Sequence, residues 1–140
     1  MNYDMLRLKS QLCFPLYAAS REVVKKYKPF LDELGLTYTQ YIAMMVLWEK
    51  QSTTVKALGD ALYLDSGTLT PLLKKLEGSG LVTRQRSNTD ERNLIVTATD
   101  KGMSLRESAS EIPAKMGACN PLTPEEASTL YTLLYKLLEQ

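Results

Sequence analysis

The sequence predicts a mainly α-helical domain with a small β-hairpin wing, and three observations lead to this fold class. Apolar residues recur at three- and four-residue steps along most of the chain, which is the period of a helix. Between residues 81 and 97 the pattern changes to alternation, which is the period of strands. The length of 140 residues and the hydrophobic share of 44% fit one globular domain.

Composition and charge exclude several classes of function. The chain contains no histidine, which excludes the usual metal sites and histidine-based catalytic triads, so we expect no cofactor, no metal and no enzymatic activity. No run of about eighteen apolar residues occurs and no signal peptide begins the chain, so we expect a cytoplasmic protein without a membrane span. The formal net charge is only +1, so nucleic-acid binding would have to rest on local charge.

Residues 5–28 have the pattern of one long amphipathic helix. Its apolar positions follow the helical period and comprise Leu8, Leu12, Leu16, Ala19, Val23 and Tyr27. Pro15 lies inside this pattern, so we expect a kink beside Cys13. Pro29 is expected to end the helix or to bend the chain shortly afterwards.

Three shorter helices are predicted next. Residues 38–50 follow a threonine cap and are almost wholly apolar, and such a helix belongs in a core. Residues 55–62 form a short helix. The next helix is capped by Asp65 or Ser66 and reaches Glu77, after which glycines stop it.

The remaining elements are a hairpin and two C-terminal helices. Segments 81–86 and 92–97 alternate in polarity and predict two strands joined by a polar tip. A helix is expected over residues 100–118, disturbed near Pro113. The last helix has a strong start signal, in which Thr123 is the cap, a proline follows it and a glutamate stands three residues after the cap.

Two helices followed by a two-stranded hairpin form the outline of a winged helix-turn-helix, whose second helix enters the DNA major groove. Small hydroxyl residues at the start of that helix suit close approach to DNA, and the lysines and arginines after them suit the phosphates and the minor groove. The candidate contact residues are Ser66, Thr68, Thr70, Lys74 and Lys75 on the helix and Arg84, Arg86 and Arg92 on the hairpin. Each signal alone is also typical of a helix cap or a solvated face, and winged helices also serve as protein-interaction modules.

Two motifs resemble the MarR family of regulators. The segment from Leu64 to Glu77, with the letters LDSGTLTPLLKKLE, resembles the recognition helix of that family. The triplet Asp90-Glu91-Arg92 resembles its D-x-R wing-tip signature. The resemblance implies that Asp90 holds the wing and that Arg92 contacts DNA in the minor groove.

The resemblance extends over essentially the full chain and implies its organisation. A single domain over residues 1–140 would form a six-helix homodimer of the MarR type. Residues 1–36 and 100–140 would supply the dimerisation helices, and residues 37–99 the DNA-binding lobe. The dimer would bind a pseudo-palindromic operator in double-stranded DNA.

The two cysteines, Cys13 and Cys119, suit an inert, a transient or a redox-sensing role, and position alone makes Cys13 typical of a buried inert thiol. Leu12-Cys13-Phe14, together with Tyr27-Lys28-Pro29 and Thr37-Tyr38, resembles the OhrR-like branch of the family, which senses organic hydroperoxides. That resemblance implies that Cys13 is the sensor and that Tyr27 and Tyr38 of the partner subunit donate hydrogen bonds to it. Cys119 would then resolve the oxidised cysteine as an intersubunit disulfide, or it is an incidental surface thiol while small thiols react with Cys13.

The predicted function is therefore a DNA-binding repressor that leaves its operator when organic hydroperoxide oxidises Cys13. The alternative is a MarR-type repressor controlled by a small aromatic ligand, with structural cysteines. A thiol peroxidase is disfavoured because the sequence contains no paired acid and base for turnover.

Overall fold

The computed structural model describes residues 1–89 and 93–139. Within them the chain forms seven α-helices and three short strands. In order these are α1 Cys13–Asp32, α2 Tyr38–Lys50, β1 Ser52–Thr54, α3 Val55–Leu62, α4 Ser66–Gly78, β2 Val82–Arg86, β3 Leu94–Ala98, α5 Asp100–Ala109, α6 Ile112–Ala118 and α7 Pro124–Leu138.

The first helix begins at Cys13, not at residue 5, and this part of the prediction was wrong. The preceding residues form two short 3-10 turns, Asp4–Leu6 and Leu8–Ser10. Pro15 is the third residue of α1, and at that position a backbone N–H has no partner inside the helix in any case. The proline therefore favours a helix start beside Cys13, where we had expected a kink.

Pro29 does not end α1, which continues through it to Asp32, but the chain turns shortly afterwards, which was the other expectation. Because proline has no backbone N–H, one hydrogen bond is missing from the final turns of α1. Packing offsets this loss, since Leu31 is buried in the core and Phe30 packs against the core. The chain then turns at Gly35, whose φ of 70° is easily adopted by glycine.

The hydrophobic core lies between α2, α4 and the sheet. Its fully buried side chains include Met44 and Leu47 of α2, which confirms the prediction that residues 38–50 form a core helix. Trp48 of the same helix donates its indole N–H to the carbonyl oxygen of Gly102, at 2.8 Å. A Cβ on Gly102 would clash with the carbonyl oxygen of Leu81, so α5 packs closely against the start of β2.

The predicted hairpin is present as β2 and β3, paired antiparallel from Val82 opposite Ala98 to Arg86 opposite Leu94. A third strand, β1, pairs with the other edge of β3 and gives the strand order β1-β3-β2. Sequence patterning missed β1 because it has only three residues, all polar, and no alternation. Its pairing includes a side-chain hydrogen bond of 2.9 Å between Ser52 and Thr97.

The helix predicted over residues 100–118 is two helices, α5 and α6, so the described chain has seven helices where six were expected. Pro113 is the second residue of α6, a position that tolerates the missing N–H, whereas a continuous helix would lose a bond there. The start of α7 is as predicted. Thr123 accepts a hydrogen bond from the backbone of Glu126 at 3.1 Å, and the Glu126 carboxylate accepts one from the backbone of Thr123 at 3.0 Å.

Two helical faces are left uncovered by the residues that the structure describes. No residue of α7 is buried, although the helix carries an apolar stripe. The N-terminal half of α1 is likewise open. The exposed large apolar residues of these two elements are Phe14, Leu16, Tyr17, Val23, Val24, Leu130, Tyr131, Leu133, Tyr135, Leu137 and Leu138. In residues 1–89 and 93–139 no helix combines the length and apolarity needed to cross a bilayer.

Candidate nucleic-acid interface and redox site

Helix α4 has one buried face and one exposed face. The buried face consists of Leu69, Leu72, Leu73 and Leu76. The exposed face carries all five residues that were predicted on this helix to contact DNA, namely Ser66, Thr68, Thr70, Lys74 and Lys75. The periodicity that places the leucines in the core therefore turns the hydroxyl and ammonium groups towards solvent.

The start of α4 is held by Asp65. Its carboxylate accepts a hydrogen bond from the backbone N–H of Thr68 at 2.8 Å, so Asp65 is the cap and Ser66 is the first helical residue. Hydrogen bonds from Thr68, first through the backbone and then through the side chain, hold the pKa of Asp65 below its usual range. The carboxylate is thus ionised at neutral pH and fixes the end of the helix that would enter a groove.

Arg84 lies at the root of the wing and is committed to an ion pair. Its guanidinium Nη2 is 3.1 Å from Oε1 of Glu77, and its backbone N–H donates to Oε2 of the same carboxylate at 3.2 Å. Only 17% of the Arg84 side chain is exposed, and hydrogen bonding from Arg84 holds the pKa of Glu77 below its usual range. This geometry connects β2 to the end of α4, and a contact of Arg84 with DNA stays a prediction.

The remaining wing residues are divided between described and undescribed parts of the chain. Arg86 is exposed at the end of β2. Asp90 and Arg92 lie outside the described residues, so the wing-tip contacts remain predictions. The hairpin leading to them is closed by a bond of 2.7 Å from the backbone N–H of Ser87 to the carbonyl of Asn93.

Cys13 is a free, exposed thiol at the first position of α1. It is not the buried thiol that its apolar neighbours alone would suggest. Leu12 before it and Phe14 after it are also exposed, so the thiol lies on the uncovered apolar surface of α1.

Tyr27 and Tyr38 lie side by side, with ring centroids 5.0 Å apart. A third ring, that of buried Tyr41, packs at 5.8 Å from Tyr27 and 6.3 Å from Tyr38. Burial and then the neighbouring Tyr27 raise the pKa of Tyr38, so its phenol keeps its proton at neutral pH. Sequence analysis did not single out Tyr41, although it follows Tyr38 by three residues and so shares its helical face.

One chain does not bring Cys13 to these tyrosines. Cys13 and Tyr27 are on the same helix, and fourteen residues of helix span about 21 Å. Cys119 directly follows α6, which packs near the far end of α1, where the ammonium of Lys115 lies 5.6 Å from the ring centre of Phe30. Cys119 is also free and exposed. Contacts of Cys13 with the tyrosines or with Cys119 therefore call for a second copy of the chain.

Comparison with known proteins identifies the family. A family model described as the transcriptional regulator SarA/Rot matches residues 25–108. The chain belongs to the SarA/Rot family of transcriptional regulators. This SarA/Rot regulator is 49% identical over 137 residues to the organic hydroperoxide resistance transcriptional regulator of Bacillus subtilis, covering 98% of this chain and 93% of that protein.

Solved structures of AbfR from Staphylococcus epidermidis are similar to this SarA/Rot regulator at 38% sequence identity. Reduced AbfR bound to DNA superposes with a TM-score of 0.81, covering 97% of this chain and 94% of that one. Disulfide-formed AbfR superposes with a TM-score of 0.69, covering 96% and 95%. Overoxidised AbfR bound to DNA superposes with a TM-score of 0.80, so this chain is closer to both DNA-bound forms than to the disulfide form.

These findings confirm the winged helix-turn-helix fold and the relationship to the MarR-type, hydroperoxide-responsive branch that the motifs indicated. The relatives of this SarA/Rot regulator are transcriptional regulators, which confirms that the chain is not an enzyme.

Proposed function

We propose that the chain is a homodimeric repressor that binds a pseudo-palindromic operator and leaves it when organic hydroperoxide oxidises Cys13. The observation that carries the proposal is the exposed, unpaired Cys13 thiol on a helix face that the chain leaves uncovered. The proposal places the protein in the cytoplasm, where its operator DNA would lie.

The DNA-binding part of the proposal rests on α4. Its exposed hydroxyl groups stand at the helix N-terminus, where the helix dipole favours phosphate oxygens. Lys74 and Lys75 stand two turns later and would contact the flanking backbone. Arg86, Asp90 and Arg92 would form the wing contact. Similarity to reduced, DNA-bound AbfR supports double-stranded DNA as the partner.

The dimer in the proposal is formed by the two uncovered faces. A helix of fifteen residues with no buried side chain, such as α7, is only marginally stable in water on its own. Contiguous exposed apolar surface of this kind marks a protein interface. We assign dimerisation to residues 1–36 and 100–140 and DNA binding to residues 37–99.

The first chemical step is a two-electron oxidation of sulfur. The Cys13 thiolate attacks one peroxide oxygen, the S–O bond forms as the O–O bond breaks, and the departing alkoxide takes a proton to become an alcohol. The sulfur is oxidised to a sulfenic acid and the hydroperoxide is reduced. Tyr27 and Tyr38 of a second copy would donate hydrogen bonds to the sulfur, since neither phenol has a hydrogen-bond partner within the described chain.

The second step removes the sulfenic acid. The thiol of Cys119 in a second copy attacks the oxidised sulfur, a disulfide forms and water leaves. A disulfide requires Cα atoms about 4.4–6.8 Å apart. Bringing the two cysteines to that distance would move α6 relative to α1 and so change the spacing of the two α4 helices on the operator.

The test measures DNA binding before and after oxidation. The probe is a duplex selected from a random-sequence pool by the reduced wild-type protein, and the oxidant is cumene hydroperoxide. We expect the wild type to release the duplex after about one equivalent of oxidant per chain, because one sulfur is oxidised. Cys13→Ser should keep the duplex.

A non-reducing gel distinguishes the oxidation of Cys13 from the formation of a disulfide with Cys119. We expect a covalent dimer in the oxidised wild type and none in Cys13→Ser or Cys119→Ser. If Cys119→Ser releases DNA only when a small thiol is added, that thiol resolves Cys13 in the variant. Equal loss of DNA by the wild type and by Cys13→Ser after oxidation would contradict the sensor role.

A further inference from the structure

Tyr63 has a backbone conformation that is uncommon for a bulky residue. It follows α3 with φ 55° and ψ 38°, in the left-handed region that favours glycine. The turn requires this conformation, since the N–H of Leu64 donates to the carbonyl of Gly59 at 3.0 Å and closes the end of α3. Glycine would meet the requirement with less strain, so the tyrosine side chain calls for a separate explanation.

The Tyr63 side chain does not serve the core. It is 57% exposed, and its hydroxyl has no hydrogen-bond partner within residues 1–89 and 93–139. The turn that carries it is closely packed, because a Cβ on Gly59 would come within 2.8 Å of the carbonyl oxygen of Leu64. Tyr63 is therefore a phenol held at the surface, two residues before the Asp65 cap of α4.

The location of the turn points to a ligand. In a helix-turn-helix the second helix enters the major groove by its N-terminus while the first crosses the DNA backbone, so the turn between them lies beside the phosphates. Tyrosine hydroxyls are among the neutral groups that donate to phosphate oxygens. The nearby carboxylates already have partners within the protein, since Asp60 lies 3.9 Å from the ammonium of Lys56 and Asp65 accepts a hydrogen bond from the backbone of Thr68.

We propose that the Tyr63 hydroxyl donates a hydrogen bond to a phosphate oxygen of the operator backbone, at the edge of the groove that α4 enters. This inference rests on the proposed docking of α4 on DNA. It explains why a strained tyrosine occupies a position where glycine would fit: the left-handed backbone holds the phenol outside the core and fixes its approach to the strand.

The test compares affinity with its dependence on salt. Tyr63→Phe removes only the hydroxyl, and we expect it to raise Kd for the selected duplex about tenfold, the usual effect of losing a hydrogen bond to a charged group. The slope of log Kd against log salt should not change, because a neutral donor releases no counterion. Tyr63→Gly should bind as weakly as Tyr63→Phe while remaining folded, since glycine suits the backbone.

Two further variants make the result interpretable. Tyr3→Phe makes the same chemical change on another exposed tyrosine, near the N-terminus, and should bind as the wild type does. Lys74→Ala should weaken binding and reduce the salt slope by about 0.9. Unchanged affinity in Tyr63→Phe, or an altered slope, would overturn the Tyr63 contact. Unchanged affinity and slope in Lys74→Ala would instead contradict the docking of α4.

Discussion

The guanidinium of Arg84 and the carboxylate of Glu77 are in contact, and the backbone N–H of Arg84 donates to the same carboxylate. Two bonds to one acceptor fix both the side chain and the strand that carries it. Glu77 is the penultimate residue of α4, so the pair sets the angle between the helix and the wing. The guanidinium of Arg84, which the sequence predicts to contact DNA, therefore also positions the wing.

We expect Arg84→Gln and Glu77→Gln each to lower Tm by a few degrees, because each removes one half of the same pair. The double variant should lose little more than either single variant, since contacting residues are not additive. Thermal unfolding measures both effects.

For DNA binding, Arg84→Gln should leave the slope of log Kd against log salt unchanged, whereas Lys75→Ala should reduce it by about 0.9. An equal reduction of the slope in Arg84→Gln would show a direct phosphate contact instead.

At the scale of elements, α4 depends on interactions at its two ends. Asp65 closes the N-terminus through Thr68, and Glu77 connects the C-terminal end to the wing. Between them the leucines are buried and the polar residues are exposed. Loss of the cap would destabilise the first turn of α4, which carries the hydroxyl residues proposed to approach DNA.

The cap predicts a specific pH dependence. Because the pKa of Asp65 is lowered in the folded state, the cap stabilises the protein above the ordinary aspartate range, and this stabilisation is lost as pH falls below about 4. Asp65→Asn keeps a capping oxygen without a titrating charge. We therefore expect the Tm of the wild type to exceed that of Asp65→Asn at pH 7 and the difference to shrink as pH falls.

The matched control is Asp60→Asn, which removes an exposed carboxylate that caps no helix. Its Tm difference from the wild type should depend less on pH. A difference between the wild type and Asp65→Asn that stayed constant from pH 7 to pH 3 would contradict the assigned role of Asp65.

At the scale of the whole molecule, the dominant feature is the apolar surface of α1 and α7 that the rest of the described chain leaves exposed. The open face of α1 carries Cys13, and α7 has no buried residue. The tyrosine pair lies about 21 Å along α1 from the thiol of the same chain. A homodimer would cover the apolar faces and would be the means by which a thiol and tyrosines from different copies meet.

We expect Leu133→Glu and Leu137→Glu to produce monomers, since each places a charge on the apolar stripe of α7. Light scattering after size-exclusion chromatography measures the mass. Operator affinity should fall by at least about tenfold, because a dimer binds two linked half-sites at once whereas a monomer binds only one. Thr132→Glu, on the opposite face of α7, should remain dimeric. A dimeric Leu133→Glu that binds DNA normally would exclude α7 from the interface.

Much of the secondary structure could be predicted because its causes are local. The bounds of α2 and α3 agree with the prediction, and the starts of α4, α5 and α7 follow from capping residues within the first turn. Local signals misplaced the start of α1, because proline is also permitted in the first turn of a helix, whereas the break between α5 and α6 lies near Pro113, where a disturbance was predicted.

By itself, then, the sequence determined the order of the helices, the wing, the polar face of α4 and the cysteine and tyrosine motifs that mark the family. These depend on neighbours within one or two helical turns, where periodicity and capping decide. Only the tertiary structure decided that Arg84 pairs with Glu77, that Tyr41 joins Tyr27 and Tyr38, and that the strained Tyr63 faces solvent. Those facts arise from contacts between elements distant along the chain or from the way a turn packs, and residue spacing alone does not encode them.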